Sequence, residues 1–343
     1  MGLMRGVDQG RTRLVQFKTE AGERKVAVVG ADGETLSPLS GFATTYELAQ
    51  HSLETATGLE ALVAATPREA ALDYDAVLKA GRVLPPLDHP EPARFLITGT
   101  GLTHTGSATA RNRMHMLTHG PDADESDSMK IFRMGLEGGK PAEGEIGIQP
   151  EWFFKGVGTC VVPTGAPLEL PGFALAGAEE AEIVGLYIVG LDGQPRRIGY
   201  TLGNDFSDHV TEGKNYLYLA HSKLRECSLG PELLLGELPQ EVSGHVRIIR
   251  DGAVVWDETF LSGESHMSHS IANLEHYHFR YPMFCRPGDL HAYFFGADAM
   301  SYASNVKTEV NDEFEIVSPT FGKPLRNRMT AGPAEKRISV TPL

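Results

Sequence analysis

The stretch AGAEEAEIVGLYIVG, residues 176–190, constrains the fold more than any other. Ile183, Val184, Leu186, Tyr187, Ile188 and Val189 form a short apolar run that reads as a buried strand. The start of that strand carries Glu179, Glu180 and Glu182. Strand side chains alternate between faces, so Glu180 and Glu182 point the same way. Two like charges side by side repel, and burying either one alone is costly. A chain that buries this strand needs something positive at its beginning.

Composition narrows what that can be. Asp plus Glu is 45 against 31 for Lys plus Arg, a net charge of −14. This argues against nucleic acid as the main partner and leaves carboxylates free for a cation. Apolar residues make up 41% of 343, enough for one large domain plus a small one. Cys160, Cys227 and Cys285 are odd in number and far apart, so neither a zinc knuckle nor a disulfide framework is expected. The start has no signal-peptide core, and Gly6 spoils the myristoylation pattern. No uncharged apolar run approaches membrane-spanning length, so a cytoplasmic protein without a membrane partner is expected.

Along the chain, TRLVQFKT and RKVAVVGADGETL read as a hairpin turning at Asp32-Gly33. One helix is expected over TTYELAQHSLETATGLEALVAA, capped by Thr44 or Thr45, and another from Pro67 to near Gly81. Prolines crowd the chain from Pro85, which places a small α+β domain at 1–84, a linker at 85–93 and a second domain at 94–343. In the second part RFLITGTGL, AEIVGLYIVG, RRIGYTLGNDF, VSGHVRIIRDGAVVWDETF and DEFEIVSP read as strands, and SHSIANLEHYHF as a helix. The Gly-, Asp- and Glu-rich segment from Gly120 to Gly147 reads as a long loop or lid.

The carboxylates acquire company about 20 residues on. GYTLGNDFSDHV puts Asp205 just past another apolar strand, and Lys223 follows in EGKNYLYLAHSK. Three carboxylates from two strand ends would make an all-oxygen site for a hard cation, Mg²⁺ first, with Mn²⁺ or Ca²⁺ also suited. A neighbouring lysine would pair with a ligating carboxylate or an anionic substrate.

These residues, in the order EEAEIVGLYIVG, GYTLGNDFSDH, lysine, LGP, resemble the fumarylacetoacetate hydrolase superfamily over about Arg94 to Met329. The resemblance implies a β-rich α+β fold, a mixed β-roll behind a small N-terminal α+β domain, and a homodimer or higher homo-oligomer. It implies Glu180, Glu182 and Asp205 as metal ligands with Lys223 beside them. GLTHTGSATARNR, QPEWFFKGVGT and EGKNYLYLAHSK are similar to the versions found in the 2-keto-3-deoxy sugar-acid dehydratases. The His and Glu pair that activates water in the hydrolase branch has no counterpart after Leu102.

The departures concern proton transfer. His104 stands where the dehydratase pattern has tyrosine, and NRMHMLTHG after Arg111 is basic where the pattern is acidic. His104, His115, Glu125 or another loop residue would have to supply the missing group. Lys155, Arg111, Ser107, Ser265 and His266 are the substrate-binding set. Arg111 and Arg113 suit a substrate carboxylate or the acidic loop after Pro121. His266, His269, His276, His278 and His291 read as polar surface rather than a metal site, apart from His266, whose loop in the family contacts the substrate.

Together these readings point to a metal-dependent dehydratase of a 2-keto-3-deoxy-pentonate, a small anionic 2-keto acid. An acylpyruvate-type hydrolase releasing pyruvate from a 2,4-diketo acid is the alternative. A non-catalytic sugar-acid binding protein is the third reading.

Overall fold

Apolar residues at alternate positions put most of the chain into strands. A computed structural model of the protein describes residues 10–109, 111–112 and 126–343. Among these, a twelve-stranded and a five-stranded sheet pack face to face. At the centre of the larger sheet lies Ala181–Val189, buried at every position. It pairs antiparallel with Pro195–Asn204 on one side and with Leu290–Phe294 on the other. Leu290–Phe294 in turn runs parallel to Phe95–Gly99, so the sheet is mixed. The smaller sheet is ordered Ala253–Ser262, Val242–Arg250, Glu313–Val317, Leu325–Ala331, Leu168–Leu170. Tyr200, Leu202, Tyr293 and Phe295 from the first sheet meet Val246, Ile248, Phe260 and Phe314 from the second in one core. This is the β-rich α+β architecture expected from the sequence.

Residues 10–84 extend the same sheet. Arg13–Lys18 pairs with Leu233–Leu234, and Arg24–Val29 and Thr35–Pro38 continue outward. The proline-rich segment lies along this edge, where the Gln16 amide donates to the Pro85 carbonyl at 2.6 Å and Leu87 is fully buried. No helix among the described residues is long and apolar enough to cross a membrane.

Three expected elements differ from what forms. The helix starting at Thr45 has the predicted cap, a reciprocal pair between Thr44 and Glu47, but ends at Thr55. Ala56 adopts a left-handed conformation, and a second helix runs from Leu59 to Ala65. Only Tyr74–Lys79 of the second predicted helix is helical, because Leu72–Asp73 pairs with Thr35–Leu36 and Asp73 then caps the helix through Ala76 N. The expected loop contains a helix, Asp127–Gly138, capped by Ser126. Its glycines are packing positions rather than breakers: a Cβ on Gly135 would come within 2.8 Å of His269 Nε2. Phe132 buries against Leu102 and Ala108, with Met129 and Ile131 packed beside them.

Candidate metal centre and active site

The antiparallel register sets Gly203 opposite Glu182 and Asn204 opposite Ala181. Pairing continues one step past the strands, where Asp205 N donates to the Glu180 carbonyl at 3.0 Å. Backbone geometry thus delivers Glu180, Glu182 and Asp205 to one place, where one carboxylate oxygen of each lies within 4.8 Å of the others. All three are buried. Gly296 N donates to Glu182 Oε2 at 2.6 Å, while Glu182 Oε1 is buried without a partner. A buried, all-oxygen donor set with an orphaned anionic oxygen suits a hard divalent cation.

Two lysines supply part of the counter-charge. Lys223, at the end of the helix Leu219–Lys223, donates to Glu180 Oε1, to Asp205 Oδ2 at 2.8 Å and to Ser207 Oγ at 2.9 Å. Burial pulls its pKa down, but Asp205, Glu180 and Glu212 more than reverse this, and Lys223 stays protonated. Lys155 is 1% exposed, far from a snorkelling surface lysine. Its Nζ lies 2.5 Å from Asp205 Oδ1, an ion pair without hydrogen-bond alignment, and donates to the Phe206 carbonyl at 2.7 Å. Burial pushes the Glu180 carboxyl up, yet Lys223 and His209, whose Nε2 is 2.9 Å away, outweigh it and hold Glu180 below the usual range. Glu182 has no such partner: burial, then Asp205 and Glu180, push its carboxyl well above the usual range. Glu182 is therefore the carboxyl of the three whose ionised form most lacks a counter-charge.

A pocket opens over this cluster, lined in part by Ser107, Arg111, Glu151, Lys223 and Tyr302. The sequence reading did not single out Glu151. Tyr216 OH donates to its Oε1 at 3.2 Å, while Oε2 is buried with no partner. Burial pushes the Glu151 carboxyl up, against the pull of Arg111. Glu151 Oε2 lies over Gly101, where a Cβ would come within 2.5 Å of it, so a side chain there would displace the carboxylate. Glu151 lies two residues before the strand Phe153–Val157, where a lone carboxylate makes no sequence pattern.

Other expected residues divide. Arg111 Nη2 pairs with Glu212 Oε2 at 3.1 Å, and Ser107 Oγ donates to the His104 carbonyl at 2.9 Å. His104 is not brought to the pocket. Thr103 Oγ1 donates to the Phe295 carbonyl at 2.6 Å, so it accepts from His104 Nδ1 at 2.9 Å, and His104 Nε2 faces Ser262 Oγ at 3.2 Å. Burial lowers its pKa to about 4, leaving a neutral packing residue. Ser265 and His266 occupy the turn Glu264–His266, and neither lines the pocket. Arg113, His115 and Glu125 lie outside the described residues. The histidines expected at the surface are mostly interior. His269, His278 and His291 are each at most 2% exposed. Trp152 Nε1 donates to His278 Nδ1 at 3.3 Å, and His278 Nε2 then donates to His291 Nδ1 at 3.0 Å. Aromatic neighbours Phe284 and Tyr293 stack on His278, which is why these rings can be buried neutral.

No family model matches the chain. It is 36% identical over 121 residues to the probable 2-keto-3-deoxyxylonate dehydratase of Haloferax volcanii, covering 34% of this chain and 40% of that protein. It is 26% identical over 202 residues to the 2-dehydro-3-deoxy-D-arabinonate dehydratase of Saccharolobus solfataricus, covering 55% and 59%. The chain thus spans about half the length of the curated relatives it matches. Among solved structures, 2-keto-3-deoxy-D-arabinonate dehydratase complexed with magnesium and 2,5-dioxopentanoate superposes with a TM-score of 0.68 at 18% identity, covering 93% of this chain and 99% of that one. The 5-carboxymethyl-2-hydroxymuconate delta-isomerase of Mycobacterium smegmatis gives 0.56 at 16% identity, covering 93% and 100%.

The fold is the one shared with these solved structures, as the sequence resemblance implied. The similarities in sequence are to proteins named as 2-keto-3-deoxy-pentonate dehydratases.

Proposed function

We propose that the chain is a divalent-metal-dependent hydro-lyase that removes water from a 2-keto-3-deoxy-pentonate, giving a 2-keto acid semialdehyde. The observation that carries this is the buried cluster of Glu180, Glu182 and Asp205 beneath a pocket whose wall holds Glu151 with a free oxygen. The named relatives support the substrate class. Glu180, Glu182 and Asp205 would hold a divalent cation, Mg²⁺ first, which when bound would supply Lewis acidity to a 2-keto acid and so acidify the CH₂ beside its keto group.

The chain's own groups do the rest. Glu151, in its ionised form, takes the proton from C3 and returns one to the hydroxyl leaving C4, so that water departs. Its raised pKa suits both halves of that exchange. The C3=C4 product then loses a proton at C5, regains one at C3, and its C5 enol ketonises to the semialdehyde. Lys223 holds Glu180 and Asp205 in place and adds positive charge beside the developing enolate. Arg111, steadied by Glu212 and lying over the Tyr216 ring, offers a cation at the pocket wall for the substrate's far end. A homo-oligomer, as the resemblance implies, and a cytoplasmic location complete the proposal.

A coupled assay with Mg²⁺ tests the reaction. Formation of an aldehyde-bearing 2-keto acid from a 2-keto-3-deoxy-pentonate supports the dehydratase. Release of pyruvate from a 2,4-diketo acid, with the deoxy sugar acids untouched, would move the chain to the hydrolase reading.

A further inference from the structure

The third glutamate of the strand start has no part in the cation cluster. Glu179 is fully buried, yet no lysine or arginine pairs with it among the described residues. Both its oxygens are used on one residue: Ser301 N donates to Oε1 at 2.7 Å and Ser301 Oγ donates to Oε2 at 2.9 Å. Alternation explains why it turns away from Glu180. It does not explain why a carboxylate is spent on a serine.

Ser301 opens the turn Ser301–Ser304. Its neighbours Met300 and Tyr302 both line the pocket, as does Ala297. The Tyr302 ring lies 5.4 Å from the His209 ring, and His209 reaches Glu180 Oε1 at 2.9 Å. This wall segment leaves the sheet after Phe295 and is held at its first residue by Glu182, through Gly296 N at 2.6 Å. Asp298 ties its middle to Gly106 N and Leu261 N. Glu179 fastens its far end. The E-E-x-E sequence therefore has two outputs: Glu180 and Glu182 face the cation cluster, while Glu179 and Glu182 pin the two ends of the pocket wall.

We propose that Glu179 is a positioning residue, which by clamping Ser301 sets Met300 and Tyr302 at the distance a bound 2-keto acid requires. The inference rests on the metal-dependent reading above. Its natural probe is oxalate, whose paired oxygens copy the carboxylate and keto oxygens of such a substrate.

Three variants separate a clamp from a merely structural charge. Glu179→Ala loses both bonds; the oxalate Kd on the Mg²⁺-loaded protein and the substrate KM should each rise about tenfold, with kcat changed by less than about threefold. The Mg²⁺ affinity measured without oxalate should stay within about threefold of wild type, because no cation ligand is removed. Glu179→Gln can accept from Ser301 N and donate to Ser301 Oγ, so it should restore KM to within about twofold. Ser301→Ala leaves the strand untouched and removes one bond, for an expected rise in KM and oxalate Kd of about threefold. It decides the matter if Glu179→Ala does not fold. Unchanged oxalate Kd in Ser301→Ala and Glu179→Ala would overturn the proposal. So would Mg²⁺ affinity falling in step with KM, or Glu179→Gln failing as badly as alanine. Wild-type protein that binds oxalate but turns over no deoxy sugar acid would sink the dehydratase reading and leave the oxalate comparison to decide the clamp.

Discussion

Replacing Glu182 with glutamine should make the metal-free protein more stable while abolishing activity. Glu182 Oε1 is buried with no partner, and its carboxylate faces those of Glu180 and Asp205 within 4.8 Å. Glutamine keeps an acceptor for Gly296 N and places an amide donor where the orphaned oxygen was. A buried unsatisfied polar group costs about 1–3 kcal/mol, so relief of that order is expected. For a chain of this size it corresponds to a rise in melting temperature of roughly 1–4 °C. The sign reverses with metal. Wild type gains about 2.7 kcal/mol when Mg²⁺ is present at about a hundred times its Kd, whereas the variant, lacking a ligand, gains little. Thermal melts in EDTA and in Mg²⁺, with turnover measured alongside, read all three effects. A variant less stable than wild type in EDTA would show that the three carboxylates are not under like-charge strain. Full turnover with metal retained would remove Glu182 from the ligand set.

Glu151→Gln should lower kcat by about 10²–10⁴-fold with Mg²⁺ affinity unchanged, and an unaltered rate would return the search for the acid to the residues beyond Arg111. Lys223→Met should slow turnover at least about 100-fold and weaken metal binding less; an unchanged rate would make Lys223 a spectator. Glu232→Gln should flatten the dependence of stability on pH. Burial raises the Glu232 carboxyl from 4.5 to about 7 despite Arg13 at 2.7 Å. A raised folded pKa contributes stability that is full below 4.5 and is lost as pH rises through about 7, at most about 3 kcal/mol. Urea midpoints on either side of that window should differ less in the variant, and an unchanged difference would assign the slope elsewhere.

Where the sequence was legible, one period and one chemistry agreed. Period-2 alternation put Glu180 and Glu182 on one side of a buried strand, and the next apolar strand ended at Asp205, so antiparallel pairing had to bring them together. Lys223 followed from charge balance and the family order. What was not legible depended on contacts distant in sequence. Gly135 reads as a helix breaker until His269 is found against it. His278 and His291 read as surface until the aromatic rings around them are known. His104 lies in the right stretch but faces Ser262, 158 positions away, rather than the pocket. Glu151 was hidden because one carboxylate in EWFFK gives no pattern; only the orphaned oxygen over the acidic cluster marks it.

The most direct test of the account is anomalous diffraction from a crystal soaked with Mn²⁺ and pyruvate. One strong peak is expected among Glu180, Glu182 and Asp205, with the pyruvate methyl carbon facing Glu151. A peak elsewhere, or full occupancy of pyruvate with no metal at the three carboxylates, would contradict it.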